Sequence, residues 1–421
     1  MKNDCFINAA GKIIVSCVCS ILICFAAESN PLARIGTQTN IINTQTVTDT
    51  SISNQKDIRE LIASALHIQI KQDSAKMHGK GPFVAAFPMV GYALQSGYLG
   101  FVSVSTSFYT SNDRSRFSNV LVNAYYSEYH QFWTIANSNI FFDKLKLHLF
   151  GDWRYYKYPT NTFGIGSNST FADELKIDFS YIRFYQILYR EIADNVFTGI
   201  GYNLDYHWNI AENPSEGDVY DEIRQYQNGN RSVSSGFSAN FLYDNRKNSI
   251  NPTGGSLVSI QYRPNMTFLG SDKNWQSLVI DLRQYFQFPS DTRNVLALWN
   301  YDSMTLKGDP PYFDLPSTGW DDYNNVGRGY VPGRYTDRNL LYAESEYRMV
   351  LSRDGLFGCV AFCNAESIFQ KLTFNIDRIL PGGGFGVRLK INKYSNANLA
   401  VDYGFGVEGS RGFFFNLGEV F

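Results

Sequence analysis

The sequence is short of what marks a soluble enzyme or a helical membrane protein. Beyond residue 27 it has no apolar run approaching the ~20 residues that a membrane-spanning helix needs. Charged side chains make up 18% of the 421 residues, and the formal net charge is −2. That balance excludes the clustered basic surface that binds phosphate backbones, so no nucleic-acid partner is expected. Five histidines, His67, His78, His130, His148 and His207, are scattered without metal-ligand spacing. A Gly-x-Ser-x-Gly elbow and a phosphate-binding loop are both missing. Gly404–Gly409 has the letters of a dinucleotide motif, but it lies in a strand pattern with no helix to follow. No catalytic residue, metal or cofactor is therefore expected, and the chain does not read as an enzyme. Cysteine is also sparse. Of six, Cys5, Cys17, Cys19 and Cys24 fall near the start. The remaining two, Cys359 and Cys363, would stand ~13 Å apart on a strand, too far for a disulfide.

What the sequence does contain favours strands and turns. Aromatics reach 16%, with 28 Tyr, 32 Phe and 34 Gly. Ile13–Ala27 is one apolar run, preceded by Lys2 and Lys12 and closed by Ala26 and Ala27. A basic start, a short apolar stretch and a small-residue exit predict a secretory signal peptide over 1–27. The alternatives are a membrane anchor, for which the run is short, and a lipoprotein cysteine at Cys17 or Cys24. Residues 28–85 then predict a periplasmic lead-in. Its first half is rich in Ser, Thr, Asn and Gln and buries no core. In Lys56–Lys71, Ile58, Leu61, Ile62, Ala65 and Leu66 follow the spacing of an amphipathic helix.

From about residue 86 to Phe421 the period falls to two. Phe385, Val387, Leu389 and Ile391 alternate with Gly386, Arg388 and Lys390. Leu341, Ala343, Tyr347, Met349 and Leu351 share a face opposite Tyr342, Glu344, Glu346 and Arg348. A sandwich and a membrane barrel both alternate in this way. Three features choose the barrel. An export signal precedes the strands, which run to ~10 residues, enough to cross a bilayer at a tilt. Aromatics such as Tyr125, Tyr126, Tyr155 and Tyr156 crowd the strand ends. The sequence closes on a strand whose outward set is read as Phe413, Phe415, Leu417 and Phe421. The expected fold is all-β: a closed antiparallel transmembrane barrel of about 16 strands over 86–421, in contact with outer-membrane lipids.

The longest interval between strands, Gly308 to Asp337, contains Val326-Gly327-Arg328-Gly329-Tyr330. This resembles the Arg-Gly-Phe/Tyr signature of the BamA/TamA family of outer-membrane assembly and translocation barrels. Phe87–Gly97, Phe163–Gly166, Tyr243–Gly255, Glu346–Arg348, Gly404 and the closing Asn416–Phe421 are similar, in order, to further family segments. The resemblance implies a cell outer-membrane location. It also implies a signature loop folded into the lumen after the eleventh of sixteen strands, anchored through Arg328, Gly329 and Tyr330. The family partner is an Asp in a Phe-x-Asp-x-Gly segment. Here the segment reads Phe362-Cys363-Asn364-Ala365-Glu366, so Asn364 is expected to accept a hydrogen bond from Arg328, with Glu366, Glu344 and Glu346 as further partners. An exposed loop residue is the other reading of Arg328. Adjacent Asp321 and Asp322 read as solvated loop.

The resemblance departs in front of the barrel. Family members carry periplasmic POTRA domains of ~75 residues, whereas the lead-in predicted here offers about 58, so none is expected. Function is expected at the barrel seam, between the strand holding Val90 and Gly91 and the strand holding Gly412, Phe415, Leu417 and Phe421. Such an edge can template a client strand. Gly91, Gly97, Gly412 and Gly418 either weaken this pairing or are ordinary turn glycines. Expected partners are unfolded outer-membrane protein clients or a periplasmic protein. A porin-like small-solute channel is the alternative on the same barrel.

Overall fold

A computed structural model describes residues 55–58, 60, 83–93, 96–110, 118–212, 226, 229–321, 324–372, 378–393 and 396–421. The predicted signal peptide, the linker and all but the first residues of the Lys56–Lys71 helix lie outside this set. So does Asp322.

The strands are β1 (Phe83–Ala93), β2 (Gly97–Phe108), β3 (Ser118–Ser127), β4 (Phe132–Phe142), β5 (Leu147–Lys157) and β6 (Thr160–Thr162). They continue as β7 (Leu175–Ala193), β8 (Val196–Glu212), β9 (Ser232–Asp244), β10 (Gly255–Asn265), β11 (Trp275–Gln287) and β12 (Val295–Lys307). The last are β13 (Asn339–Val350), β14 (Phe357–Phe369), β15 (Leu380–Asn392), β16 (Ala397–Phe405) and β17 (Arg411–Leu417). β6, at 3 residues, only extends the wall beside the start of β7. Without it sixteen long strands remain among the described residues, from the 19 residues of β7 to the 7 of β17. Each pairs antiparallel with the next, with β5 joining β7 directly.

The two faces of this sheet are inverted relative to a soluble protein. Val90, Phe385 and Val387 are 89%, 62% and 60% exposed, while Gly386 and Arg388 between and beside them are buried. Along β13 the buried residues are Asn339, Leu340, Tyr342, Glu344, Glu346 and Arg348. Polar groups inside and apolar groups outside suit a wall with lipid behind it and a hydrogen-bonded filling before it. Cys363 sits on the outward face, and Cys359 and Cys363 are both free.

The sheet curls about its polar face. One cavity of about 720 Å³ is lined by residues from β3 round to β13. β1 and β17 come side by side, with Cα atoms within 8 Å. Yet among the described residues no backbone ladder joins them, whereas every other neighbouring pair of long strands has one.

The loop between β12 and β13 falls after the eleventh long strand and folds into the interior. Val326 and Tyr330 are buried in one cluster with Trp299, Tyr342 and Leu380 of the wall. Its backbone needs are met locally: Asp321 accepts from the N–H groups of Asn325 and Val326, both at 2.8 Å. Asp321 is thus buried and structural, which corrects its reading as solvated.

Candidate functional site

The site is built by strand register. β13 and β14 pair Tyr342 with Glu366, Glu344 with Asn364, and Glu346 with Phe362. Residues i and i+2 of a strand share a face, so all six side chains stand on the inner side, in two columns. β15 continues the row with Gly382 opposite Asn364 and Gly384 opposite Phe362. β16 then brings Asp402 opposite Gly386, and Gly404 opposite Gly384.

The glycines leave a floor without side chains. A Cβ on Gly382 would come within 3.1 Å of the Arg328 carbonyl, and one on Gly404 within 2.8 Å of the Gly329 nitrogen. Conversely, a Cβ on Gly329 would press to 2.7 Å on the Phe405 carbonyl oxygen, and Gly329 holds φ at +110°. Loop backbone therefore lies on wall backbone, a fit open only to glycine. The Tyr330 ring covers Gly406. Its hydroxyl donates to the Pro381 carbonyl at 2.6 Å and accepts from the Val407 N–H at 3.2 Å. The Gly-Phe-Gly letters at 404–406 are thus the seat of the loop tip. Burial raises the Tyr330 phenol to about 12.

Arg328 enters from above this floor and is fully buried. Its Nη1 donates to Asp402 Oδ2 at 2.8 Å, and its Nη2 to Glu346 Oε2 at 2.6 Å. Glu344 takes a further hydrogen bond from Nη2 and one at 3.5 Å from Nε. The guanidinium lies 3.8 Å over the Phe362 ring. Planarity and permanent charge suit Arg, and not Lys, to three carboxylates and a ring at once. Arg348 and Arg388 share these anions. Arg348 Nε donates to Glu346 Oε1 at 2.7 Å, and Arg388 Nη1 to Asp402 Oδ1 at 2.5 Å. Charges taken from water are tolerable only when paired in this way.

The loop's outer part is held separately. Arg334 donates to the carbonyl of Ser169 at 2.7 Å and to Glu408 at 2.9 Å. Its guanidinium sits between the rings of Phe163, Phe171 and Tyr335, at 5.0, 4.7 and 4.4 Å. The Gly166 N–H donates to the Thr336 carbonyl at 2.8 Å, so the Phe163–Gly166 segment is a dock for the loop.

The structure brings Arg328 together with Glu344 and Glu346 and corrects three expectations. Asn364 does not accept from the guanidinium; its Nδ2 donates to the Arg328 backbone carbonyl at 2.9 Å. Glu366 does not reach Arg328; it accepts from Thr318 at 2.9 Å, one step along the column. Phe421 is not on the outward face of the closing strand. β17 ends at Leu417, Gly418 turns at φ +96°, and Phe421 is buried against Trp299. The other residues named for the seam lie on β1 and β17. Gly91 pairs with Leu99 in β1–β2, Gly412 with Gly404 and Leu417 with Leu399 in β16–β17, and Phe415 is exposed.

Sequence reading missed Asp402, Arg348, Arg388 and Arg334. Asp402 was findable: alternation already set it opposite the apolar face of β16. The role of Arg334 depends on a loop partner 165 residues away, which period alone does not encode.

The other half of the interior is open. The cavity runs from the turn at Lys247–Ile250 to Phe313 and Trp320 of the loop. Its wall carries three Arg residues, each bidentate to the Asp two places before it. Arg154 pairs with Asp152 at 2.9 and 2.8 Å, Arg283 with Asp281 at 2.9 and 2.7 Å, and Arg246 with Asp244 at 2.9 and 2.8 Å. Longer links cross strands: Arg263 donates to Asp205 at 2.6 Å, and Arg183 to Asp152 at 3.3 Å.

No protein-family model matches this sequence, and no curated protein does. Solved structures do. The chain is similar to BamA from Haemophilus ducreyi lacking POTRA domains 1-3, with TM-score 0.52 and 15% identity over 80% of this chain and 69% of that one. It is similar to CdiB from Acinetobacter baumannii, with TM-score 0.52 and 14% identity over 81% of this chain and 60% of the other. CdiB from Escherichia coli matches with TM-score 0.53 and 9% identity, over 83% and 63%. At these identities the likeness is one of fold: the wall of sixteen long strands is a barrel of the BamA and CdiB type. The chain spans less than two thirds of either CdiB.

Proposed function

We propose that this barrel resides in an outer membrane and aids the assembly of outer-membrane proteins, or the passage of polypeptide, through the seam between β1 and β17. The observation that carries this reading is the contrast in pairing. Among the described residues fifteen junctions between long strands are laddered, and the junction that would complete the ring is not. An unpaired strand edge is a template for another strand, since its N–H and C=O groups seek partners. Pro88 in β1 fits an edge: it has no N–H to give, and ring nitrogens are tolerated where a strand faces away from a ladder. Arg328 and its carboxylates keep the loop seated in the lumen, so that the wall stays filled while the seam is free to work. Clients would be unfolded barrel proteins, delivered alone or by a periplasmic partner.

The test is a folding assay. The purified chain is placed in vesicles, and the rate at which an unfolded barrel protein gains its heat-modifiable folded band is followed. Cysteine pairs joining 84–92 to 411–415 are then oxidised across the seam. Acceleration that disappears on oxidation and returns on reduction supports the proposal; acceleration indifferent to the bond sinks it.

A second reading, a small-solute channel, is favoured by the cavity of about 720 Å³ and its polar lining. A large steady current from the unaltered chain in a planar bilayer, unchanged by Arg328→Ala, would make it the better account.

A further inference from the structure

The four residues after β17 do not extend the wall. Gly418 still donates its N–H to Asn398 of β16 at 2.8 Å, and then the chain turns inward. The Glu419 N–H donates to the Ile250 carbonyl at 3.0 Å, in the turn between β9 and β10. The Glu419 carboxylate accepts from Arg388 Nε and from Asn398 Nδ2, both at 2.7 Å, and lies 3.8 Å from Arg348 Nε. The Val420 carbonyl accepts from Asn325 Nδ2 of the loop at 2.7 Å. The Phe421 carbonyl accepts from Arg348 Nη2 at 2.9 Å, and its ring stacks on Trp299 with centroids 5.1 Å apart.

These bonds tie β13, β15, β16, the turn between β9 and β10 and the loop to one short segment. Glu419 shares Arg388 and Arg348 with Asp402 and Glu346, two of the anions that hold Arg328. Asn325 joins the segment to the loop three residues before that arginine. The segment is also the direct continuation of β17, one side of the unladdered junction.

We propose that residues 418–421 are a latch that makes the seam strand and the lumen loop move together. β17 cannot leave β1 or slide on β16 without withdrawing Glu419 from Arg388 and Val420 from Asn325. A loop that leaves the lumen drops its bond to Val420 and unbalances the arginines that hold Glu419. The two arrangements are discrete. The tail is either tucked at Gly418 or straightened, in which case the alternation of β17 carries Glu419 and Phe421 to the outward face beside Phe413 and Phe415. Straightened, Glu419 would face lipid, which disfavours that state until a partner strand covers the edge.

The inference rests on the seam reading above, and its test uses no client. The full chain, with Cys359→Ser and Cys363→Ser, carries spin labels at Val90→Cys and Phe415→Cys to report the seam. The loop is read as single-channel current. Glu419→Gln removes one charge-assisted hydrogen bond and is expected to raise the ratio of open to closed current roughly tenfold. The same variant is expected to broaden the distance distribution across the seam. Phe421→Ala should do both again, and removal of residues 419–421 should do both more strongly. If the truncated chain does not fold, the two point variants decide. A change in one readout without the other, or in neither, overturns the latch. Coupled changes in a chain that does not accelerate client folding would keep the latch and sink the assembly reading.

Discussion

The interior has two halves made from the same residue types, and they behave differently. Between β13 and β16 the space is filled; between β3 and β12 it holds a cavity. Both contain buried arginines and carboxylates. In the open half three arginines of the wall take the Asp two places earlier in sequence, as in Asp152–Arg154 and Asp281–Arg283, while Arg183 and Arg263 reach Asp152 and Asp205 on other strands. All of these partners stand on strands of the wall. In the filled half Arg328 comes from the loop and its anions from β13 and β16, so no strand alone satisfies them. Pairs drawn from the wall alone leave a cavity open; those that take their cation from the loop fill it.

The most severe way to break this contrast is Arg328→Ala. It strands three buried carboxylates, a loss of the order of ~3–5 kcal/mol for a broken buried pair. Small flickering currents should become large and steady, and the temperature at which the folded band is lost on gels should fall. An unchanged current would mean that the loop does not fill the pore. Gly329→Val comes next. It forces a β-branched residue into positive φ and against the Phe405 carbonyl, at ~1–3 kcal/mol of strain. It should loosen the tip with all the charges intact, and the same conductance trace reads it.

Asn364→Asp sharpens the contrast further. The family-like aspartate cannot donate to the Arg328 carbonyl, and it adds an anion where Glu344 and Glu346 already crowd. The loop should open more often than in the parent and less often than in Arg328→Ala. Asp281→Asn addresses the open half. There an amide oxygen can still accept from Arg283 and Trp299, so stability should fall by less than in Arg328→Ala, while reversal potentials shift toward anions. The smallest effect is expected from pH. A hydrogen bond from Arg378 holds the Glu408 carboxyl below its ordinary 4.5. Its contribution to the Arg334 clamp is therefore whole above that value and fades as pH falls through the lowered one. Conductance noise recorded from pH 7 down to 3 should rise only at the acid end, and Glu408→Gln should remove that rise.

Much of the wall was legible because a period of two is written in every strand. The outward rows on β13, β15 and β16 lie where alternation puts them, and so do Glu344 and Glu346. The Arg-Gly-Tyr tip was legible through resemblance. Where reading failed, the cause was contact between distant segments. Phe421 has the parity of an outward residue, yet one glycine turn and an aromatic pocket on β11 and β12 override parity. Asn364 was assigned the acceptor role of the aspartate it replaces, but an amide also donates, and the nearest acceptor was backbone. The absent β1–β17 ladder is equally invisible in sequence, since both strands alternate as well as their neighbours do.

The glycine floor on β15 and β16 has a consequence for how such a protein can change over time. Where loop meets wall through backbone alone, recognition is written in shape and not in side-chain identity. At the tip the demand falls on one arginine, the two glycines beside it and the bare strip beneath them, while the outer part of the loop is held by side chains such as Arg334. A contact of this kind spells out few letters.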